Sequence, residues 1–214
     1  MVLYLASLMI SCSKLMLEPI WSYVTPGIPD ELFDRLPGIP MSKCETRLLI
    51  IGQLRLKADS VLWDIGAGTG TIPIETGLLC PKGKIVAIER DEDVAGLIAK
   101  NCQKFGVKNV QIQIGSAPEC LTSLTEEPDR ICIEGGRSVS EILEYCWQRL
   151  QIGGRAIATT NSLEGLYAIS ESFAKLQARS VEVVQSSVNR LETRGNRQVF
   201  AAVSPMFIIS GEKL

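Results

Sequence analysis

The order of apolar segments along this chain constrains its fold more than any other feature. Five short runs rich in β-branched residues alternate with longer segments of helical periodicity. These runs are SVLWDI (60–65), KIVAIE (84–89), VQIQI (110–114), RICI (130–133) and RAIATT (155–160). Strands that alternate with helices predict a parallel sheet that is covered by helices on both faces.

The last two apolar runs have no helix between them. They are SVEVVQSSV (180–188) and VFAAVSPMFIIS (199–210), and only NRLETRGNRQ separates them. Such a short connection predicts an antiparallel hairpin at the edge of the sheet. The sequence therefore predicts an α/β, Rossmann-like fold with a seven-stranded, mostly parallel sheet and a C-terminal antiparallel hairpin. This pattern departs from the six parallel strands of a dinucleotide-binding domain and matches class I S-adenosylmethionine-dependent methyltransferases.

Composition removes several classes of function. The chain has no histidine, so a Ser-His-Asp triad or a His-ligated metal cannot form. Its seven cysteines are scattered without a C-x-x-C pair, which predicts reduced thiols, a cytoplasmic location and no bound metal. A formal net charge of −2 provides no overall field that attracts nucleic acid.

The length of 214 residues predicts one domain with a small appendage. We interpret residues 1–23 as an N-terminal extension, either disordered or the product of an early start codon, and residues 24–214 as a single domain. The apolar run at 2–10 has no Lys or Arg before it and is short for a membrane span, so a targeting role is less favoured.

The stretch WDIGAGTGTIPIE (63–75) predicts a strand, a glycine turn and a helix. Gly66, Gly68 and Gly70 follow a G-x-G-x-G spacing, which differs from the G-x-G-x-x-G that binds a pyrophosphate. S-adenosylmethionine has no phosphate, and it needs close backbone contact with a carboxylate near its cationic end. Asp64 is the candidate carboxylate, although tight packing of strand on helix also selects glycine.

Two later segments are expected at the same edge of the sheet. Glu89 ends the second strand, where a carboxylate can accept hydrogen bonds from both ribose hydroxyls and repels a 2′-phosphate. Gly115, Ser116 and Ala117 follow the third strand and are small enough for an adenine ring to approach. Each feature alone is common, as a solvated strand end or an ordinary loop. Together they predict an S-adenosylmethionine site.

Several longer stretches resemble the decarboxylating cobalt-precorrin C15-methyltransferases of cobalamin biosynthesis. They include TPGIPDELFDRLPGIPMSKCETRLLIIGQLRL (25–56), AIERDED, GSAPE, LQIGGRAIATTNSLEGL (150–166) and SPMFIISG. The resemblance implies methylation of C15 of a cobalt-precorrin, or of a metal-free precorrin, with loss of CO₂ from the ring C acetate side chain. It further implies a cytoplasmic homotetramer with a tetrapyrrole substrate, no nucleic-acid or membrane partner, and a separate C5-methyltransferase as companion.

The resemblance assigns site residues by position. It places cofactor contacts on Ser42, Gly66, Ala67, Gly68, Thr69, Gly70, Glu89 and Ala117, and Asp64 joins them from its place beside the glycine turn. The substrate side is expected at Glu134, Gly135, Gly136 and Arg137. The family often has a glycine pair directly after strand four, whereas this chain has Glu134 before Gly135 and Gly136. It also has Ser204, Pro205 and Met206 where Asn-Pro-Val is common.

A polycarboxylate substrate predicts cationic side chains in its pocket. Arg137 is the preferred contact, and the other candidates are Lys43, Arg47, Arg190, Arg194 and Arg197. A proton carrier would have to be a carboxyl, Tyr, Lys or water, with Glu45, Glu134 and Glu164 as possible carboxyls. No catalytic residue is assigned from the sequence.

Other functions stay open at this point. A methyltransferase acting on RNA, protein or another small molecule shares the fold, although the chain lacks an [ND]-P-P-[YFW] element. A NAD-dependent oxidoreductase shares the strand alternation and an acidic residue such as Glu89. A non-catalytic cofactor-binding subunit is the remaining alternative.

Overall fold

The computed structural model of this chain describes residues 19–136 and 138–214. The strands are β1 (Val61–Ile65), β2 (Lys84–Glu89), β3 (Val110–Ile114), β4 (Arg130–Glu134), β5 (Arg155–Thr160), β6 (Arg179–Arg194) and β7 (Arg197–Glu212). The α-helices are α1 (Cys44–Leu54), α2 (Thr71–Leu79), α3 (Glu92–Phe105), α4 (Val139–Arg149) and α5 (Leu163–Lys175). Short 3₁₀ turns lie at Asp30–Leu32 and Glu119–Ser123. No helix of these described ranges is long and apolar enough to cross a membrane.

All seven strands form one sheet in the order β3-β2-β1-β4-β5-β7-β6. The first five strands are parallel, and β7 lies antiparallel between β5 and β6. The predicted fold class is therefore confirmed. Because the chain runs outward from β1 to β3 and then returns to β4 on the other side of β1, the β1/β4 junction is the switch point where such sheets bind ligands.

Successive side chains along each strand point to opposite faces of the sheet, so the strands supply a core on each face. In β1, Trp63 and Ile65 pack in the cluster that includes α4 and α5, whereas Leu62 packs with α1 and α2. The adjacent residues Ile208 and Ile209 of β7 divide between the same two clusters. Both faces of the sheet are thus buried, which explains why the inner strands β1, β2, β4 and β5 are almost continuously buried, whereas the edge strand β3 alternates apolar residues with glutamine.

Helix ends follow local chemistry. The side chain of Asp91 accepts hydrogen bonds from the backbone N–H groups of Asp93 and Val94 at the start of α3. Gly106 ends the same helix in the left-handed region, at φ +69°. These caps satisfy groups that the helix itself leaves unpaired.

The hairpin is longer than the sequence predicted. Segment 189–198, expected as a connection, is mostly strand, and pairing continues from Asn189 opposite Ala202 to Arg194 opposite Arg197. Only Gly195 and Asn196 form the turn. The expectation was wrong because the charged side chains that alternate along this arm resemble those of a loop. Only Phe207–Glu212 of β7 pair with β5, so the outer arm of the hairpin projects beyond the sheet.

Candidate functional site

A cleft of about 1380 Å³ opens at the carboxyl ends of β1, β2, β4 and β5. Its walls come from segments 39–43, 65–69, 88–91, 115–117, 134–136, 159–162 and 201–204, with further side chains from the outer hairpin. Pockets for one small ligand usually measure about 300–1,000 Å³. This cleft therefore has room for two ligands side by side, or for one that is unusually large.

The glycine turn forms the floor of the cleft at the switch point. Gly66 and Gly68 have φ of +81° and +51°, and added Cβ atoms would lie 3.2 Å from the Glu134 carbonyl oxygen and 3.3 Å from that of Pro40. Ala67 and Thr69, the residues between the three glycines, also line the cleft. Gly70 differs, because its added Cβ would lie 2.9 Å from the Ile98 side chain. Helix packing therefore explains Gly70, whereas Gly66 and Gly68 bring backbone to the cleft.

Asp64 is fully buried beside this turn. Neither of its carboxyl oxygens meets a hydrogen-bond donor in good geometry among the described residues, and its polar neighbour is the thiol of Cys132. Burial raises the pKa of Asp64 well above its usual range, and the nearby charges of Glu134 and Glu89 raise it further. A buried, unpartnered carboxyl is costly unless it serves a ligand, and a cation is the ligand that would lower its cost.

Glu89 connects two of the loops that form the cleft. Its Oε2 accepts the Gly68 N–H at 3.0 Å, and its Oε1 accepts those of Arg90 at 2.9 Å and Asp91 at 3.1 Å. A carboxylate offers about four acceptor positions, so three are already used. Glu89 thus fixes the glycine turn, and it keeps one strong acceptor position rather than the two that were expected for a ribose.

The segment after β3 lies beside Glu89. Gly115, at φ +142°, donates its N–H to the Glu89 carbonyl oxygen at 2.9 Å. Ser116 and Ala117 continue along the wall of the cleft. The structure therefore brings the three segments that the sequence singled out, after β1, β2 and β3, into one site.

Ser42 and Glu134 meet across the cleft wall, although the resemblance assigned them to different ligands. The Ser42 hydroxyl donates a hydrogen bond to Oε2 of Glu134. Burial raises the pKa of Glu134 to about 7, against the lowering effects of the Ser42 hydrogen bond and the Arg47 charge. This contact joins residues 92 positions apart, so no local sequence signal could have shown it.

Arg47 is not available to a substrate, contrary to its place among the expected cations. Its guanidinium is completely buried and bonds Asp30 Oδ1 at 2.7 Å and Glu75 Oε1 at 2.8 Å. It also donates to the carbonyl oxygens of Ser42, at 2.6 Å, and Ile28. Arg47 thus holds the segment before α1 against α1 and α2, and its partners Asp30 and Glu75 are residues that sequence reasoning missed.

The other expected cations differ in their surroundings. Arg190 lines the cleft but bonds Glu45 at 2.5 and 2.7 Å and Asp30 at 3.2 Å. Lys43 also lines the cleft and is partly exposed, whereas Arg194 pairs with Glu192 on the exposed arm of the hairpin.

The remaining expected residues differ in position, and among them Arg197 is exposed at the start of β7 and does not line the cleft. Gly135 and Gly136 line the cleft with positive φ angles. Glu164 is exposed at the start of α5, in a smaller neighbouring pocket. Arg137, the preferred substrate contact, lies outside the described residues.

The strand order, the glycine turn and the cleft at the switch point define a Rossmann-like methyltransferase of class I. The family described as precorrin methyltransferase domain matches residues 37–213. This chain belongs to that family, as the sequence resemblance indicated.

Relatives and solved structures agree with this assignment. The probable cobalt-precorrin-6B C(15)-methyltransferase (decarboxylating) of Saccharolobus solfataricus is 37% identical over 197 residues, which cover 90% of this chain and 98% of that protein. The cobalt-precorrin-6B C(15)-methyltransferase (decarboxylating) of Salmonella typhimurium is 32% identical over 185 residues, which cover 86% of this chain and 95% of that protein. The crystal structure of precorrin-6y C5,15-methyltransferase from Geobacter metallireducens superposes with a TM-score of 0.82 at 33% identity, covering 89% and 100%.

Proposed function

We propose that this chain transfers a methyl group from S-adenosylmethionine to C15 of a cobalt-precorrin or precorrin and removes CO₂ from the ring C acetate side chain, in cobalamin biosynthesis. The observation that carries the proposal is the end-to-end match with two relatives of that name, which span 90% and 86% of this chain. The size of the cleft supports it, since a tetrapyrrole and a nucleoside must fit together.

The described residues fit S-adenosylmethionine, which supplies an electrophilic methyl group on a sulfonium when bound. The carboxyl of Asp64, buried behind the glycine turn, would favour a cation bound on the cleft side of that turn, and Gly66 to Thr69 line the cleft. Glu89 keeps an acceptor position for a ribose hydroxyl, with Ala117 beside it for the adenine. Ser42 would contact the cofactor from the opposite wall, and Gly70 would contribute through packing alone.

The substrate would occupy the part of the cleft nearest the hairpin. Glu134, Gly135, Gly136 and, as a prediction, Arg137 would meet it from the end of β4. Lys43 and Arg190 bring positive charge to the same space, which suits a ligand with several carboxylates. The protein's main tasks are to hold C15 against the methyl group and to keep water away, because sulfonium displacement depends on positioning.

Assembly, domain extent and location are further parts of the proposal. The edge strand β6 and the outer hairpin expose Leu191 and Phe200, the latter 75% exposed, as expected of a surface that pairs with other copies in a homotetramer. We retain a domain of residues 24–214 after an extension of residues 1–23, a cytoplasmic location and a separate C5-methyltransferase companion as predictions.

Mass spectrometry of a C15-unmethylated precorrin, with and without cobalt, tests the activity directly. The expected product gains one methyl group and loses one CO₂ in the presence of S-adenosylmethionine. Calorimetric titrations with S-adenosylmethionine and with NAD, run in parallel, decide between the methyltransferase and the oxidoreductase. Tight binding of S-adenosylmethionine without conversion of either substrate would leave the fold class intact and reject this substrate.

A further inference from the structure

The carboxyl of Glu134 is placed differently from the other carboxyls that line the cleft. Oε2 accepts the Ser42 hydroxyl, and Oε1 accepts no hydrogen bond from the described residues. By contrast, Glu89 is held by three backbone N–H groups, Asp91 caps α3, and Glu192 pairs with Arg194 at 3.0 Å. Glu134 is therefore a described cleft carboxyl that neither fixes a backbone segment nor pairs with a cation, and its Oε1 is left for a ligand.

The proposed reaction, on which this inference rests, requires a proton to move. When the acetate arm loses CO₂, the electron pair of the broken C–C bond passes into the conjugated ring. C15 then takes the methyl group, and the electron pair of the broken C–S bond stays on sulfur. C15 now carries both its original hydrogen and the new methyl group, while the arm ends in a CH₂ group.

Two proton transfers complete the product. C15 loses its proton so that conjugation is restored, and the CH₂ carbon gains a proton to become a methyl group. The atoms and charges then balance, because the anionic carboxylate leaves as neutral CO₂ and the cationic sulfonium becomes a neutral thioether. No oxidant or reductant is needed, and the chain has no histidine to carry the proton.

We propose that Glu134 is a catalytic residue of this chain, which accepts the proton from C15 and returns one to the decarboxylated arm. Its position at the end of β4, next to the glycine turn, places it between the expected cofactor and substrate sides of the cleft. The Ser42 hydroxyl steadies its orientation.

The surrounding charges suit this role. Burial raises the pKa of Glu134 to about 7, so both protonation states are populated near neutral pH, as a proton carrier requires. The hydrogen bond from Ser42 and the positive charge of Arg47 in α1 limit this rise in the pKa of Glu134. From β1 and β4, Asp64 and Cys132 face the same region with raised pKa values of their own. Asp64 is completely buried behind the glycine turn and does not line the cleft, whereas Glu134 does.

Two substitutions at Glu134 separate an acid–base role of its carboxyl from its place in the cleft wall. Glu134→Gly removes the side chain and leaves the proton transfer to water, whereas Glu134→Gln keeps the shape and removes the titratable group. The loss of a positioned acid–base group typically slows a reaction by about 100-fold or more. We expect both variants to show a loss of roughly that size.

The experiment measures product formation by mass spectrometry across neutral pH for the wild type, Glu134→Gln, Glu134→Gly and the control Glu144→Gln, on the exposed face of α4. Calorimetric titration with S-adenosylhomocysteine reports folding and cofactor binding independently of activity. The expected result is a roughly 100-fold loss in both Glu134 variants, unchanged S-adenosylhomocysteine affinity, and disappearance of an inflection near neutral pH in kcat/KM.

Three outcomes overturn the assignment: unchanged rates in Glu134→Gln, a rate loss matched by an equal loss of S-adenosylhomocysteine affinity, or an unaltered pH profile. The second would make Glu134 a cofactor contact. Failure of the proposed function looks different, because the wild type and Glu144→Gln would then also convert neither form of the substrate.

Discussion

Replacing Arg47 by Met should destabilise the protein severely. The side chain keeps its length but loses a buried charge that pairs with Asp30 at 2.7 Å and Glu75 at 2.8 Å. Removing one partner of a buried ion pair costs about 3–5 kcal/mol, since the remaining charge stays desolvated. Glu75 bears most of this cost, because its exposure is only 1% and Asp30 keeps Arg190. For a chain of this size, that loss corresponds to a fall in Tm of about 6–20 °C.

Urea unfolding followed by circular dichroism measures the free energy of unfolding. Lys175→Met is the matched control, because Lys175 pairs with Glu171 on an exposed helix surface, where a pair contributes at most about 1 kcal/mol. In the double variant Arg47→Met/Glu75→Gln the unpaired carboxylate charge of Glu75 is absent. The double variant should therefore be about 0.5–3 kcal/mol more stable than Arg47→Met.

The pH dependence provides a second test of the same network. Burial raises the pKa of Asp30, but the hydrogen bonds and charges of Arg47 and Arg190 outweigh burial and hold the pKa below its ordinary value of 3.8. A depressed carboxyl pKa stabilises the fold above the unfolded-state pKa, and this contribution is lost as pH falls through the folded-state pKa. The acid-induced loss of stability should therefore be smaller in Arg47→Met. If Arg47→Met is no less stable than Lys175→Met, the reasoning about the buried network is refuted.

Four further substitutions probe the cleft, the helices and the hairpin. Asp64→Asn should weaken S-adenosylmethionine binding in calorimetry. It should also flatten the fall in stability as pH rises above 3.8, because a raised folded-state pKa destabilises the charged form. Gly66→Ala should reduce stability by about 1–2 kcal/mol, since an alanine resists the positive φ and its Cβ would crowd the Glu134 carbonyl. Gly96→Ala should instead raise stability by about 0.5–1 kcal/mol, because Gly96 lies within α3 with open space around it. Urea unfolding should therefore show a lower free energy of unfolding for Gly66→Ala and a higher one for Gly96→Ala. Phe200→Asp should lower the molar mass seen in light scattering if the hairpin joins copies, and an unchanged mass would count against that interface.

The strands and the parallel arrangement of the first five were accessible from sequence because parallel strands that are buried on both faces are rich in apolar residues. The bounds of β2, β3 and β5 agree residue for residue with the predicted runs. The outer hairpin was not accessible in the same way. Its strands pair only with each other, so they carry alternating charges such as Arg190 and Glu192 that local patterns cannot distinguish from a loop.

The residues of the site likewise divide into those with a local sequence signal and those whose role depends on distant contacts. The glycine turn and Glu89 were found because each is a local signal at a strand end. The bond between Ser42 and Glu134 and the burial of Arg47 depend on packing between distant segments, which a single sequence does not reveal. An arginine looks equally suited to solvent, to a substrate carboxylate and to a buried network until its neighbours are known.

The position of β7 has a consequence for how the chain can fold during synthesis. β6 emerges from the ribosome before β7, yet its partner in the sheet is β7 and not β5. Until residues 197–212 are made, β5 keeps an open edge and β6 has no place to dock. Ile208 and Ile209 then enter the cores on opposite faces of the sheet almost together. The nascent chain must therefore carry β5 with an unpaired edge until residues 197–212 have been made, and this is the stage at which that edge is most exposed to aggregation.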